Sequence, residues 1–314
     1  MGSGMQPTSA GQRQPSSGHF LPSDSPFSSA LNLSFGDITI STVVPRSMRI
    51  TLPGEVQAFL VDATDPDISL KLKWADAIEP LHGKELLFDS GQIWRLYRHE
   101  HSLCFDLSTV ALGREPYKRV VMDLQFTRGE IFVNRKYFDK KPLYPLEYPL
   151  DEILIVHKLA ATGGAEVHGC GIVAENGKGI LFVGHSGAGK STTARLWHAH
   201  RKVKILSDDR IVLRQQNGSI RMFGTPWHGE AGYSDASSAP LHAIYLLEHG
   251  SKNELQPIRP ARAAAELFAR CFLPFHDGQA LESTMALLAR VTDMVPCQWF
   301  RFVPDVTCLE CISA

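Results

Sequence analysis

From about residue 34 onward, apolar and polar side chains alternate. Ile68, Leu70, Leu72 and Trp74 are interleaved with Ser69, Lys71 and Lys73, and Leu103, Phe105 and Leu107 repeat the pattern. Period-two patterning of this kind predicts half-buried strands. Val120, Met122, Leu124 and Phe126 continue it, Thr127-Arg128-Gly129 reads as a turn, and Ile131 to Val133 reads as the return strand of a hairpin. Residues 34–145 are therefore expected to form an antiparallel, β-rich N-terminal domain. Pro142, Pro145 and Pro149 have no N–H for a ladder and predict a stiff, extended connector at a domain boundary.

Beyond the prolines the period changes. Leu150, Ile153, Leu154, His157 and Ala161 share one face of a helix that Gly163-Gly164 would end. Further helices are expected over Pro260 to Phe272 and Gln279 to Met294. Residues 146–314 thus read as a mixed α/β domain. The first 33 residues, rich in Ser, Gly and Pro and poor in apolar periodicity, read as a disordered leader.

Composition narrows the function classes. Of 314 residues 44% are hydrophobic, enough for two ordinary cores, and 32 basic residues against 33 acidic ones leave a formal charge of -1. No bulk basic charge draws the chain to nucleic acid or to an anionic membrane. No apolar run approaches the roughly 18 residues of a spanning helix, and no basic-then-apolar signal opens the chain. A cytoplasmic location is expected. The six cysteines are irregularly spaced, and the single Cys308-x-x-Cys311 has no second pair to complete a zinc site, so reduced structural thiols are expected. Neither His99 with His101 nor His198 with His200 brings a further ligand.

The chemistry is concentrated in Gly184-His185-Ser186-Gly187-Ala188-Gly189-Lys190-Ser191, which fits G-x-x-x-x-G-K-[ST] at every fixed position. Leu181-Phe182-Val183 supplies the strand before it, and Thr192 to His200 the helix after it. Backbone N–H groups of such a loop converge on phosphates, Lys190 reaches the β and γ groups, and the Ser191 hydroxyl can ligate Mg²⁺. Residues 184 to 192 are thus assigned to ATP. Val167 to Ala174, the Asn176-Gly177 turn and Ile180 to Val183 predict that the loop strand arrives through an antiparallel hairpin. Downstream, Val203 to Leu206 forms an apolar strand ending at Asp208-Asp209, a pair that suits a metal ligand or a base toward an attacking hydroxyl.

His168-Gly169, the loop 184–191 and Ser207-Asp208-Asp209-Arg210-Ile211 together resemble HPr kinase/phosphorylase and its relatives, which share a core with ATP-dependent phosphoenolpyruvate carboxykinases. The resemblance runs roughly from Glu166 to Glu230. It implies an α/β P-loop domain with a mixed sheet, in which Asp208 is the base toward a serine hydroxyl, Asp209 helps hold the site and the metal, and His168 supports them. HPr kinases commonly have aspartate where this chain has His185, and a Glu-x-Arg-Gly signature is replaced by Gly224-Thr225-Pro226-Trp227-His228-Gly229-Glu230. That segment is more similar to relatives in peptide-modification pathways, including kinases of lasso-peptide precursors. There, Glu230 would join Ser191 and Asp209 around Mg²⁺, His228 would contact phosphate or substrate, and Trp227 would shape the pocket wall.

The expected protein is an ATP- and Mg²⁺-dependent kinase acting on a serine of a peptide or protein, with the β-rich domain recognising that substrate. A small-molecule kinase, a carboxykinase-like enzyme and a nucleotide-gated binding module without turnover stay open, the carboxykinase least favoured because its basic and metal-binding constellation is not found. The sequence is compatible with homo-oligomerisation but does not set it.

Overall fold

The computed structural model describes residues 27–63, 65–91 and 93–312 as a mixed α/β protein with two mixed sheets. The first sheet has eight strands: β1 (Phe27–Phe35), β2 (Ile38–Pro45), β3 (Ile68–Ala75), β4 (Glu85–Asp89), β5 (Trp94–His99), β6 (Ser102–Thr109), β7 (Gly113–Asp123) and β8 (Arg128–Asn134). Their spatial order is β1-β2-β3-β8-β7-β6-β5-β4. Two short helices, α1 (Gly54–Gln57) and α2 (Arg135–Phe138), accompany them. The alternation holds in β3, where Ile68, Leu70 and Leu72 are buried while Ser69 and Lys71 face solvent.

Three expectations for this region are corrected. Residues 27–33, assigned to the leader, belong to β1: Leu31, Leu33 and Phe35 alternate with Asn32 and Ser34, and Leu33 and Phe35 are fully buried against β2. The rest of the leader, residues 1–26, lies outside the described residues. The sheet is not wholly antiparallel, because β3 runs parallel to both β2 and β8, reached from β2 by a connection long enough to cross over. The β7–β8 turn also starts earlier than expected. The Asp123 carboxylate accepts from the Thr127 and Arg128 amides at 2.8 and 2.9 Å, which leaves Leu124 and Phe126 in the turn.

The second region comprises α3 (Leu150–Thr162), β9 (Gly164–Val173), β10 (Gly179–Val183), α4 (Lys190–His200), β11 (Lys204–Ser207), β12 (Arg210–Gln216), β13 (Ser219–Phe223) and β14 (Ser238–His249). It continues through β15 (Glu254–Pro257), α5 (Pro260–Phe268), β16 (Cys271–Phe272), α6 (Gly278–Met294) and β17 (Cys297–Phe302) to a 3₁₀ turn at Val306–Glu310. The strand β9 organises this sheet, pairing with β10, β11, β12 and β16. The β9–β10 hairpin is antiparallel, as expected, while the other neighbour of β10, β14, is parallel to it. The helix expected over 260–272 stops at Phe268, because Cys271 and Phe272 leave it to pair with Val167 and Glu166. All six cysteines are free. Among the described residues no helix is long and apolar enough to cross a membrane.

The proline segment is not an extended connector. Leu143, Tyr144 and Leu146 are buried, and residue 143 exchanges backbone hydrogen bonds with Arg49 and Thr51. One core runs from the first sheet through these residues into α3 and on to Val212, Phe223 and Trp227. The helix α3 is therefore buried from Leu150 to Ala160 rather than along one face.

That burial traps ionisable groups. Lys118, 1% exposed, donates to the Pro145 carbonyl at 3.0 Å and to Glu147 at 2.8 Å. Burial pushes the Asp151 carboxyl up to about 7, against the opposing pull of the Glu152 amide and the Lys118 charge. The folded chain thus keeps a proton that the unfolded chain, with a carboxyl near 3.9, releases; this group removes about 1.4 kcal/mol of stability per pH unit over that window. Asp151→Asn, neutral throughout, escapes that loss. Its melting temperature relative to wild type should climb from pH 4 to pH 7 and then level off in calorimetric scans; a constant offset would refute this assignment.

Candidate active site

The loop 184–191 connects β10 to α4 as the motif requires. Gly189 (φ +101°) has no room for a side chain, since an added Cβ would lie 2.5 Å from the Phe302 ring. Lys190, the first residue of α4, folds its side chain back so that Nζ donates to the Gly184 and His185 carbonyls, both at 3.0 Å. An ammonium held over the loop's own carbonyls can exchange them for phosphate oxygens. Burial lowers the Lys190 pKa, an effect that Asp209 opposes.

Ser191 joins the loop to the acidic pair. Its hydroxyl donates to Asp208 Oδ2 at 3.0 Å, and the same oxygen accepts from the Ala231 amide at 3.0 Å. Asp208 Oδ1 accepts from the Gly229 amide at 3.0 Å and from the Tyr233 amide at 3.2 Å. Gly229 is required for this approach, since a Cβ there would lie 2.8 Å from the carboxylate. Asp208 is only 1% exposed and accepts four hydrogen bonds. This geometry does not suit the base role expected of it: a general base needs a lone pair facing the substrate. It suits Asp208 to fixing the Ser191 hydroxyl as a donor, which leaves the serine oxygen's lone pairs free.

Asp209 has different surroundings. The His168 Nδ1 lies 3.0 Å from Asp209 Oδ1 and 3.2 Å from the Asp209 carbonyl oxygen. In a neutral ring, Nδ1, which faces two acceptors, would carry the proton and Nε2 the lone pair; Nε2 has no hydrogen-bond partner among the described residues. Backbone pairing fixes the arrangement, with the His168 amide donating to the Arg270 carbonyl and the Gly169 amide to the Asp209 carbonyl. The other Asp209 oxygen bonds Arg210. Burial tends to raise the Asp209 pKa, but His168, Arg210 and Lys190 outweigh it and hold the group below the usual carboxylate range.

Behind Asp209, Arg210 also bonds Glu152 and lies 3.5 Å from the fully buried Glu166. Burial, with Glu152 beside it, pushes the Glu166 pKa well up. The Arg210 guanidinium lies over the Phe272 ring at 4.6 Å and over the Tyr148 ring at 5.8 Å.

The segment 224–230 departs from expectation. Trp227 does not wall the site; it is buried in the shared core, 5.6 Å from the Phe35 ring. The His228 ring is exposed, and its hydrogen-bond partner among the described residues is the Gly229 carbonyl. The Glu230 side chain is exposed and makes no hydrogen bond or ion pair to Ser191, Asp208 or Asp209 among the described residues, so the segment serves the site through its amides. No group of three or more His, Cys, Asp or Glu among the described residues could hold a metal ion unaided. His101, expected on a strand with His99, lies in the β5–β6 turn.

Sequence reasoning missed Arg270. It is 7% exposed, one terminal nitrogen is 2.8 Å from His185 Nε2 in the loop, another bonds Glu266, and Nε has no partner. The overlong helix predicted over 260–272 hid it: the break at Phe268 turns this arginine toward the loop 184–191.

Residues 150–291 match the family described as SynChlorMet cassette protein ScmC. The match starts at the first residue of α3 and contains the loop, both aspartates, His168 and Arg270, leaving out the eight-stranded sheet. No curated protein matches the chain. Among solved structures, the Hpr(Ser) kinase/phosphatase from Coxiella burnetii is similar at 14% identity and a TM-score of 0.21, over 41% of this chain and 92% of that one.

If the loop binds phosphate as built, Lys190→Ala should weaken ATP binding by about 100-fold or more, on the scale of a lost buried charge contact, without lowering the melting temperature. Calorimetric titration showing wild-type affinity would reject the assignment.

Proposed function

We propose that the chain is an ATP-dependent phosphotransferase that moves the γ-phosphoryl group to a hydroxyl, with a serine of a peptide or protein as acceptor. The observation that carries this reading is the division of labour between adjacent aspartates. Asp208 is bound to the phosphate loop through Ser191, and Asp209 is bound to His168.

ATP fits the loop on the grounds given above: a lysine resting on exchangeable carbonyls and a glycine, Gly189, with no room for a Cβ. The donor set also fits Mg²⁺, which takes oxygen ligands and retains waters and phosphate oxygens, so that few protein ligands are needed. Ser191 would hold the ion, with Asp208 orienting it; Asp209, already engaged by His168 and Arg210, and the exposed Glu230 have weaker claims. When bound, Mg²⁺ neutralises charge on the β and γ oxygens.

The rest falls to side chains. Lys190 and Arg270, which both reach the loop at residues 184 and 185, stabilise the negative charge that shifts toward the leaving group. His168 Nε2 takes the acceptor's proton, and Asp209 keeps the ring in the tautomer that allows it. The acceptor oxygen bonds the γ-phosphorus as the bond from that phosphorus to the β–γ bridging oxygen breaks. The proton moves to Nε2, and ADP leaves with the electron pair.

A transfer assay with radiolabelled ATP and serine-containing peptides tests the assignment. His168→Ala should slow turnover by about 100-fold to 10,000-fold, the usual range for a lost general base, while Mg²⁺–ATP affinity holds. Asp208→Asn should lose the tightening that Mg²⁺ confers on ATP binding, since the amide NH2 would face either the 229 and 233 N–H groups or the 231 N–H and the Ser191 hydroxyl, all of them donors. Wild-type turnover in His168→Ala, or no transfer by the native chain to any hydroxyl, would overturn the reading.

A further inference from the structure

We propose that the aromatic cavity between the β4–β5 turn and the α3–β16 face receives an uncharged apolar side chain, aromatic or large aliphatic, that flanks the acceptor hydroxyl in the peptide substrate. This rests on the phosphotransferase reading and specifies its substrate.

Position is the first argument. Phe272 walls this cavity of about 370 Å³, and the same ring lies edge-on to His168, with centroids 6.2 Å apart. The cavity and the proton acceptor are thus neighbours across one side chain. Phe88 and Trp94, stacked at 4.7 Å, supply the opposite wall from the eight-stranded sheet. The cavity therefore gives that sheet a role in a site whose reacting groups all lie elsewhere.

Exposure is the second. Ile93, Tyr148 and Phe275 all line the cavity and are left 42%, 53% and 65% exposed. Large apolar side chains converging at the mouth of an apolar cavity mark a binding surface more often than chance exposure.

Charge selects the occupant. Glu152, the one carboxylate in the lining, is already committed to Arg210. The two lining histidines, His157 and His276, are both pushed down by burial and stay neutral near pH 7. A charged side chain would lose its hydration without meeting a counter-ion, whereas an apolar one loses only water contacts. His157, Pro274 and His276 also line a second cavity of about 720 Å³. The two cavities therefore adjoin across these side chains, which offers an extended chain more room than a small metabolite needs.

Two measurements on the full-length chain test this. The first is ligand-observed NMR with N-acetyl-phenylalaninamide and N-acetyl-lysinamide, on wild type and an Ile93→Ser, Phe275→Ser double variant whose changes sit at the exposed rim. The phenylalanine probe should bind wild type and weaken by about tenfold in the variant, as expected for lost apolar contact, and the lysine probe should not bind. The second is phosphorylation of a positional serine-peptide library, which should show enrichment of Phe, Tyr, Trp, Leu or Ile at one fixed offset, with the variant raising KM more than it lowers kcat. Equal probe binding by wild type and variant, or a library enriched in charged residues, would overturn the proposal. So would probe binding seen only after residues 1–26 are removed, which would make the chain's own N-terminal segment the occupant. Variant-sensitive probe binding without transfer to any peptide would support the apolar cavity and count against the phosphotransferase reading alone.

Discussion

The hydrogen bonds around Asp208 hold the site together. One carboxylate, almost fully removed from water, binds the first turn of α4 through Ser191 and the 229–233 loop through three amides. A buried carboxylate is tolerated only when its oxygens are fully satisfied, and here each of them accepts two donors. The loop 184–191, the strand end carrying the acidic pair and the 224–235 segment are fixed relative to one another by that single group. Its neighbour is left free for different work: one residue further on, the chain turns Asp209 toward His168 and Arg210.

The long strand β9 is the second constraint. It pairs with β12 and β16 over residues 164–168 and with β10 and β11 over residues 169–173, and His168 sits where those partners change. The His168 amide is bound by the Arg270 carbonyl and the next amide by Asp209, so three parts of the chain distant in sequence meet within two residues of β9. The charged layer behind them, Arg210 with Glu152 and Glu166, lies where α3 passes between the two sheets. Buried ion pairs contribute little net stability but are costly to break. In this protein they fix the orientation of the side chain that holds Asp209.

Much of this was legible in the sequence, for identifiable reasons. The loop motif carries its own geometry, because successive glycines and a lysine at fixed offsets leave the backbone few alternatives. The β9–β10 hairpin followed from Asn176-Gly177, and α3 from its apolar spacing and terminal glycines. Long-range packing decided the rest. The end of α5 at Phe268 depends on pairing between Cys271 and Val167, which no local pattern announces. Trp227 looked like a pocket residue because of its place after the acidic pair, yet Phe35, far away in sequence, draws it into the core. The roles within Asp208-Asp209 could not be separated by spacing, since adjacent residues on a turn diverge according to which amides approach them.

The most direct measurement is a crystal structure of the chain with Mg²⁺ and a non-hydrolysable ATP analogue, read for the distances from the terminal phosphorus to His168 Nε2 and from Lys190 Nζ to its partners. The account predicts that Lys190 leaves the Gly184 and His185 carbonyls for phosphate oxygens. It also predicts that Asp208 keeps Ser191 and its three amides, and that Nε2 faces the open side of the γ-phosphoryl group across the space of one hydroxyl. A nucleotide seated with its terminal phosphate facing Asp208 and turned away from His168 would contradict it.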